Sequence, residues 1–479
     1  MNYLKLYDLL EEKISTTLQN FDIANVTDDS RKVGSGTLFV CVKGEKFDGH
    51  DFAKEALTLG AVLIITQRDL GLSPQIVVED TRKIYGELCA SWFNHPERRL
   101  KLIGVTGTNG KTTMTKLIKE ILMKSGHKVG LLGTIQNEIG DEILPAKNTT
   151  PPAFEYMELL SEMVKKGCDC AVMEISSFAL SQNRIGTSHF RVAVFTNLTQ
   201  DHLDYHKTME NYYQAKKLLF SACDLGIINT DDAYGKRLYQ EVSCDKYSYG
   251  TFGEETFSAE NIQLSSDKIT YDLNYDREKT PVSINMTGAF NVLNSLAAIA
   301  ACVKIGMPIA KTAAAIADIG GVKGRCEVIP TGRDFTVICD YAHTPDAIEN
   351  VLSSLKPNTK GDLICLFGCG GNRDKLKRPL MAKAAAKFAD KIIVTSDNPR
   401  DENPDEIIKD ILKGFAKKSP PYETISDRKE AISSAIKSAK SGDVIALLGK
   451  GHEDYQVLEN EKTIHFDERE IVKEILDKF

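Results

Sequence analysis

Nine residues from Val105 to Thr113, VTGTNGKTT, join an apolar run to a helix-forming one. A glycine-rich turn between a strand and a helix presents loop amides and a helix N-terminus, and both hold phosphate oxygens. Gly107, Thr108, Asn109, Gly110 and Thr113 form the candidate cradle. Lys111 would reach the β- and γ-phosphates, and the Thr112 hydroxyl would bind Mg2+. The usual G-x-x-x-x-G-K-[ST] spacing asks for glycine at 105, where Val105 stands, so the loop is a shorter G-x-x-G-K-T that starts at Gly107. The bland alternative is a glycine-rich turn with an incidental lysine.

Two further strand ends carry groups suited to metal-assisted phosphoryl transfer. Glu174 closes the apolar run CAVMEIS, and the C-terminal edge of a parallel sheet is where ligands gather. TNLTQDHLDYH sets Asp201, His202, Asp204 and His206 after another such run. His202 and His206 are four apart, as in a zinc helix, but the glutamate of H-E-x-x-H is missing. One histidine near Mg2+ with the rest as loop structure is the preferred reading; taken alone, His202 is as much a structural histidine as a functional one. Near the C-terminus, TSDNPRDENPDE follows the apolar run KIIVT. Asp397, Asn398 and Pro399 are turn formers. Arg400 beside that turn either holds a carboxylate or is a solvated charge.

The elements that must position these groups follow from hydrophobic pattern. KLIGV, CAVMEIS, VAVFTNL and LGIINT are continuous apolar runs between helical segments such as TTMTKLIKEILMKSG, which Gly126 closes. That alternation implies an α/β fold with a mostly parallel, covered sheet. Residues 245–285 turn strand-like and polar, and TGAFNVLNSLAAIAACVKIG returns to helix. A further α/β unit begins near 331, with FTVICDYA, DLICLFG, KIIVTSD and DVIALLG as strands. At roughly 100–200 residues per domain the chain holds about three domains. Texture divides it into 1–97, 98–330 and 331–479.

Composition bounds the function. The chain has 479 residues, 42% hydrophobic and 27% charged, and a net charge of −7. No basic field attracts nucleic acid or anionic lipid. The apolar runs are too short to span a bilayer. The N-terminal stretch MNYLKLYDLLEEKISTTL is amphipathic and acidic and lacks the pattern of a signal peptide, so a cytoplasmic protein is expected. The eleven cysteines are scattered without a C-x-x-C pair, which reads as buried free thiols in a reducing compartment.

Taken together, GTNGKTT, MEISS, FTNLTQDHLDYH, GAFNVLN, Gly324–Arg325, DYAHTPD and GKGHEDYQ resemble the Mur ligases, the ATP-dependent amide ligases of peptidoglycan synthesis, in the family's order and over essentially the whole chain. DDSRKVGSGTLFV, NTTP, FGCGGNRDKLKRPLM and DNPR resemble the tripeptide synthetases within it. The resemblance implies a small N-terminal α/β domain for the UDP end of the substrate, a central P-loop ATPase domain, and a Rossmann-like C-terminal domain for the incoming amino acid. It implies a monomer that uses ATP and Mg2+. The D-Glu γ-carboxylate of UDP-MurNAc-L-Ala-D-Glu would be phosphorylated, and an amine would displace the phosphate.

Residue by residue, the resemblance assigns Thr112, Glu174, His202 and Lys216 to metal and catalysis. In NYYQAKKLLF it makes Lys216 an N6-carboxylysine, a carbamate that needs a depressed amine pKa to form; Lys217 is its neighbour and rival. Asn291, Asn294, Arg325, Asp340 and His343 match nucleotide-contacting positions, with Asp340 either accepting from the ribose or organising a hinge. Asp28, Ser30, Glu45, Lys46 and Phe47 match the uridine and pyrophosphate region. Asn148, Thr149, Thr150, Ser176, Gln182 and Arg184 match the muramoyl-dipeptide region, where an arginine fork suits the D-Glu carboxylate. One departure is Phe178, where many relatives carry histidine after EISS. Arg373, Asp397, Asn398, Pro399, Arg400, Gly449 and Glu453 match contacts to the amino acid. Meso-2,6-diaminopimelate differs from L-lysine by a distal carboxylate. A cation at that end would bind it and repel lysine's ammonium, so diaminopimelate is expected, with L-lysine and lanthionine as the alternatives. Other classes considered are a folylpolyglutamate synthetase and a nucleotide-binding protein without catalysis.

Overall fold

Each apolar run expected to be a strand is one, and the reason is visible in its burial. Cys170–Glu174, Leu363–Phe367 and Val129–Leu132 are buried at every residue, as strands covered on both faces must be. By contrast Ile269–Tyr275 alternates buried and half-buried positions, the period of a sheet with one wet face. The computed structural model describes residues 23–44, 47–265 and 268–478. The amphipathic N-terminal stretch, Glu45 and Lys46 lie outside the described residues. Among those described, no helix is long and apolar enough to cross a membrane.

The chain forms two compact units. The first gathers residues 1–104, 126–193 and 218–224. Its beginning is a four-stranded parallel sheet, in order Asn25–Thr27, Thr37–Val40, Ala61–Thr66 and Gln75–Val77. Phe39, Cys41, Ala53, Ala56 and Ile64 fill the core beneath it. Helix Thr81–Trp92 starts on Asp80, whose carboxylate accepts from the amides of Arg82 and Lys83. Gly86 in that helix meets Gly186: a Cβ on Gly86 would lie 2.8 Å from the Gly186 Cα, so two backbones touch where no side chain fits. Strand Cys170–Glu174 runs parallel to Val129–Leu132, which continues through antiparallel Gln136–Ile139 and Glu142–Pro145.

The second unit gathers residues 105–125, 194–217 and 225–479. Leu225–Asn229 pairs in parallel with Asp245–Gly250, and this with Phe257–Leu264; Ile269–Tyr275 and Glu278–Ile284 then add antiparallel strands. Helix Phe290–Lys304 follows, alanine-rich and almost wholly buried, and packs on helix Lys111–Lys124.

The C-terminal part of this unit is a six-stranded sheet in the order Glu327–Ile329, Thr336–Asp340, Val444–Leu448, Leu363–Phe367, Lys391–Val394, Tyr422–Thr424. Only the first strand is antiparallel. Alternate side chains feed two cores. Ile338, Cys365, Phe367, Val394 and Leu448 face helices Pro345–Leu355, Lys377–Phe388 and Pro404–Leu412. Val337, Cys339, Leu366, Ile393 and Leu447 face helices Arg428–Ser438 and Glu468–Leu476. This is the doubly wound, Rossmann-like architecture expected. All eleven cysteines are free, and only Cys244 is not buried.

Candidate active site

The phosphate-type loop lies in the second unit and its glycines are forced. Gly107 (φ 144°) and Gly110 (φ 87°) occupy backbone that side chains rarely adopt. A Cβ on Gly107 would sit 1.8 Å from Thr196 Oγ1, and one on Gly110 2.6 Å from Asn294 Oδ1. The following segment splints the loop. Asn109 N–H donates to Asn197 Oδ1 (2.9 Å), the Thr196 hydroxyl donates to the Asn109 carbonyl (2.6 Å), and the Thr108 hydroxyl reaches the Thr199 carbonyl (3.3 Å). Lys111 Nζ lies over the loop, donating to the carbonyls of Gly107 (2.9 Å) and Thr108 (2.8 Å). Gly110 caps helix Lys111–Lys124, so Thr112 and Thr113 stand in its first turn. Asn294 Nδ2 donates to Asn291 Oδ1 (2.8 Å), and Asn291 Nδ2 to the Thr287 carbonyl (2.6 Å).

Lys216, which the resemblance favours, and its neighbour Lys217 have opposite surroundings. Lys216 is fully buried, donates to the Gly107 carbonyl at 2.7 Å and lies 4.6 Å from the centre of the Tyr212 ring. Burial, and then the charge of Lys111, hold its amine well below the usual lysine range. Lys217 pairs with Glu241 at 2.7 Å near the surface. Carbamylation needs a neutral amine, and the shift at buried Lys216 is in that direction.

Around the same loop, Asp201 is buried between three bases: His202 Nε2 at 3.4 Å, Lys377 Nζ at 3.5 Å and His343 Nε2 at 3.7 Å. Burial alone would raise its carboxyl, but Lys377 and the two histidines hold it well below the ordinary value. His202 adopts a left-handed conformation (φ 55°). Burial brings its pKa down to about 4 against the pull of Asp201, so near neutrality it is an uncharged imidazole. His206 is likewise brought to about 4 and stacks on Tyr212, ring centres 5.0 Å apart, as a loop-structure histidine would. Arg325 Nη2 donates to the Thr112 hydroxyl at 2.9 Å. Forced glycines, a lysine and an arginine at the loop, a threonine hydroxyl and a neutral imidazole fit a magnesium-bound nucleoside triphosphate.

Both carboxylate oxygens of Asp340 are bonded to backbone. One oxygen accepts from Cys326 N–H and the other from Ala342 N–H, both at 2.7 Å, so the carboxylate ties the backbone on either side of strand Glu327–Ile329 and strand Thr336–Asp340.

The end of the six-stranded sheet collects the expected amino-acid contacts. Asn398 Nδ2 donates to Glu453 Oε2 (2.9 Å), and Lys450 Nζ donates to Asn398 Oδ1 and Glu453 Oε2 (both 2.8 Å). Gly449 (φ 115°) leaves room for Asp397: a Cβ there would lie 2.6 Å from Asp397 Oδ2. Arg400 also sits in left-handed backbone (φ 52°). Its guanidinium donates to the carbonyls of Gly371 (3.0 Å) and Asn398 (3.4 Å) and, among the described residues, pairs with no carboxylate. Arg400 and Arg373 flank Gly370, whose Cβ would lie 2.9 Å from Arg400 Nη1 and 3.7 Å from Arg373 Cγ. Burial, then the Arg373 charge, lower the Arg400 pKa, while Asp397 and Glu453 oppose. Pro399 closes the same turn, its carbonyl accepting from Glu402 N–H (3.1 Å).

In the first unit, Glu174 is buried and accepts from both the amide (2.8 Å) and the hydroxyl (3.0 Å) of Thr134, whose hydroxyl also meets that of Thr149 at 3.0 Å. The Thr150 hydroxyl donates to the Glu174 carbonyl (2.8 Å), and Ser176 N–H donates to Thr150 Oγ1 (3.0 Å). Arg184 Nη1 donates to the Thr150 carbonyl at 2.9 Å, and its Nε and Nη2 hold Gln182 Oε1. Thus Thr150, Glu174, Ser176, Gln182 and Arg184 form one network, with Asn148 exposed at its edge and Phe178 half-buried one turn on. Asp28 is exposed and Ser30 half-buried after the first strand, and Phe47 is exposed in the next loop. Thr134, Asp346, Lys377 and Lys450 were not singled out from the sequence. Asp346 accepts from Asn109 Nδ2 at 2.8 Å. Lys377 and Lys450 lie inside quoted motifs, and the motifs themselves were the available signal.

Comparison with known proteins agrees with this geometry. Residues 22–94 match the model described as Mur ligase family, catalytic domain; residues 105–302 match the Mur ligase middle domain; residues 324–451 match the Mur ligase glutamate ligase domain. The chain is 47% identical over 462 residues to UDP-N-acetylmuramoyl-L-alanyl-D-glutamate–2,6-diaminopimelate ligase 1 of Clostridium acetobutylicum, covering 95% of each chain. A solved structure of a UDP-N-acetylmuramoyl-L-alanyl-D-glutamate–2,6-diaminopimelate ligase superposes with a TM-score of 0.70 at 32% identity, covering 98% of each chain. The fold is also that of Thermotoga maritima MurF ligase in complex with ADP (TM-score 0.63, 20% identity, 96% of this chain and 99% of that one). With 47% of aligned residues identical to a relative matched over 95% of each chain, and with three Mur ligase models matched in order along it, the chain belongs to the Mur ligase family.

Proposed function

We propose that the chain is the ATP-dependent ligase that joins meso-2,6-diaminopimelate to the D-Glu γ-carboxylate of UDP-MurNAc-L-Ala-D-Glu, a step in peptidoglycan synthesis. One observation carries the choice of amine donor: Arg400 and Arg373 flank Gly370 while Glu453 and Asn398 stand at the same sheet end. Burial and the Arg373 charge depress Arg400, which a ligand carboxylate beside it would relieve, and the Glu453 carboxylate suits an ammonium. Diaminopimelate carries a distal carboxylate beside its distal ammonium; lysine carries only the ammonium.

A carboxylate is a poor electrophile, so its oxygen must first take the γ-phosphoryl group, with ADP leaving. Lys111 and Arg325 would lower the repulsion between carboxylate and triphosphate, and the loop amides of 107–113 would hold the phosphates in line. Mg2+, when bound, withdraws charge from the phosphate oxygens. Thr112, neutral His202, Glu174 and carbamylated Lys216 are the proposed groups that hold it. Arg184 and Thr150 would orient the D-Glu carboxylate. The amine, held by its far end at Arg400 and Glu453, then attacks the acyl carbon, loses a proton, and phosphate departs. Asp28, Ser30, Glu45, Lys46 and Phe47 are proposed for the uridine end. The proposal includes three domains near 1–97, 98–330 and 331–479, and action as a cytoplasmic monomer beside the nucleotide-linked substrate.

The test is phosphate release with UDP-MurNAc-dipeptide, ATP, Mg2+ and meso-diaminopimelate, run beside folate plus glutamate. Release only with the first pair is expected; release only with folate would overturn the reading.

A further inference from the structure

Tyr341 touches both halves of the proposed chemistry. Its ring carries the Arg325 guanidinium, Cζ 4.7 Å from the ring centre, and that guanidinium donates to the Thr112 hydroxyl at the phosphate loop (2.9 Å). Its phenol donates to Glu453 Oε1 at 3.3 Å, in the amine pocket. The backbone of Tyr341 is held in place. Its N–H donates to the Gly324 carbonyl at 3.0 Å, and a Cβ on Gly451 would lie 2.7 Å from its N and Cβ. The rings of His343 and His452 flank it, each with centres 4.8 Å away.

Arg325 has a stronger partner than the one it holds. Its bond to Thr112 is charged on the donor side alone; a phosphate oxygen adds a negative charge on the acceptor side and a second oxygen for the guanidinium fork. A triphosphate at the loop would therefore draw the guanidinium off Thr112 and away from the Tyr341 face. The ring loses the cation seated on it, and the phenol loses the orientation that aims it at Glu453. Oε2 of that carboxylate is already bonded to Lys450 and Asn398, so Oε1 is the oxygen left for a ligand's ammonium.

We propose that Tyr341 is a positioning residue that couples the phosphate loop to the amine pocket, so that nucleotide binding releases Glu453 to the distal ammonium of the diamino acid. The inference rests on the ligase reading above. Linkage makes it reciprocal, with the diamino acid strengthening nucleotide binding by the same factor.

Calorimetric titration of the full chain with meso-diaminopimelate, with and without a non-hydrolysable ATP analogue and Mg2+, tests it. Wild type is expected to bind the diamino acid about 5-fold to 150-fold more tightly with the nucleotide present, the usual span of coupling between sites. Tyr341→Phe keeps the ring and removes the phenol. Its coupling should fall below about 2-fold, because the affinity without nucleotide rises toward the nucleotide-bound value. A merely structural role would weaken both affinities and leave their ratio intact, and that result overturns the proposal. Arg325→Lys, which breaks the stack at its other end, should also lose the coupling; retention in both variants, or no coupling in wild type, refutes it. Ligation by wild type is measured alongside. A wild type that ligates diaminopimelate while its variants stay coupled refutes Tyr341's role alone, whereas one that ligates no diaminopimelate refutes the functional reading itself.

Discussion

Arg428 and Glu468 form an ion pair with no exposure at either side chain, 2.7 Å from Nη2 and 2.9 Å from Nε to the same oxygen. The guanidinium also donates to the Ser396 carbonyl (3.2 Å) and the Leu448 carbonyl (2.8 Å). Those two carbonyls precede Asp397–Asn398 and Gly449–Lys450, so one buried side chain ties together the two loops that build the amine pocket. Arg428→Ala strands the Glu468 carboxylate and both carbonyls. Removing one partner of a buried pair costs about 3–5 kcal/mol, and each orphaned carbonyl about 1–3 kcal/mol if water does not reach it. These terms overlap, so the expected loss is about 4–5 kcal/mol. Arg428→Met with Glu468→Leu removes the stranded charge but not the stranded carbonyls, and should recover about half. The assay is native-state hydrogen exchange of strands Thr336–Asp340 and Val444–Leu448, in which a loss of about 4 kcal/mol appears as roughly 1000-fold faster exchange. The KM for diaminopimelate should rise more than that for ATP. A fall in protection worth under about 1 kcal/mol, the scale of a surface pair, would refute the reasoning.

Other outcomes follow from the same geometry. Gly107→Ala, with its Cβ 1.8 Å from Thr196 Oγ1 and φ at 144°, should displace the loop and raise the KM for ATP about 5-fold to 150-fold, as strain of about 1–3 kcal/mol implies; unchanged ATP kinetics would contradict the cradle. Labelled bicarbonate should give a carbamate carbon signal in wild type and in Lys217→Ala but not in Lys216→Ala, and only the Lys216 variant should lose ligation; the reverse pattern would move the modification to Lys217. His452, brought to about 3 by burial and by Arg325, takes up its proton in the unfolded chain near its ordinary value. The unfolded state then binds more protons below pH 6.5, so this histidine's contribution is complete above about pH 6.5 and is lost as pH falls toward 3. Urea midpoints measured between pH 4 and 7 should fall less with acid in His452→Gln than in wild type; parallel curves would contradict this.

What the sequence disclosed and what it hid have a common cause. Buried strands were legible because continuous apolar runs have one outcome in a covered sheet, and helix Lys111–Lys124 because its glycine stop at Gly126 is local. The bond from Cys326 N–H to Asp340 was not legible because it spans 14 positions and forms only when the chain returns. Thr134 and Lys377 went unseen because they reach Glu174 and Asp201 across 40 and 176 positions, a separation no local pattern encodes. Without the family's motif Lys216 and Lys217 read alike in a helix-forming string, and burial gives the physical difference between them. Texture marked changes near 97 and 330, but texture does not say which segments pack together, and residues 126–193 join the N-terminal segment in one compact unit.

The central claim is that paired arginines at the end of the terminal sheet admit a diamino diacid. It is tested most directly by the ratio of kcat/KM for meso-diaminopimelate over L-lysine in wild type, with lanthionine as a third donor carrying the same charges as diaminopimelate. Leaving two guanidiniums without the distal carboxylate costs several kcal/mol, so the ratio should exceed about 100-fold, and Arg400→Ala should lower it mainly through the KM for diaminopimelate. L-lysine used as well as or better than meso-diaminopimelate would contradict the account.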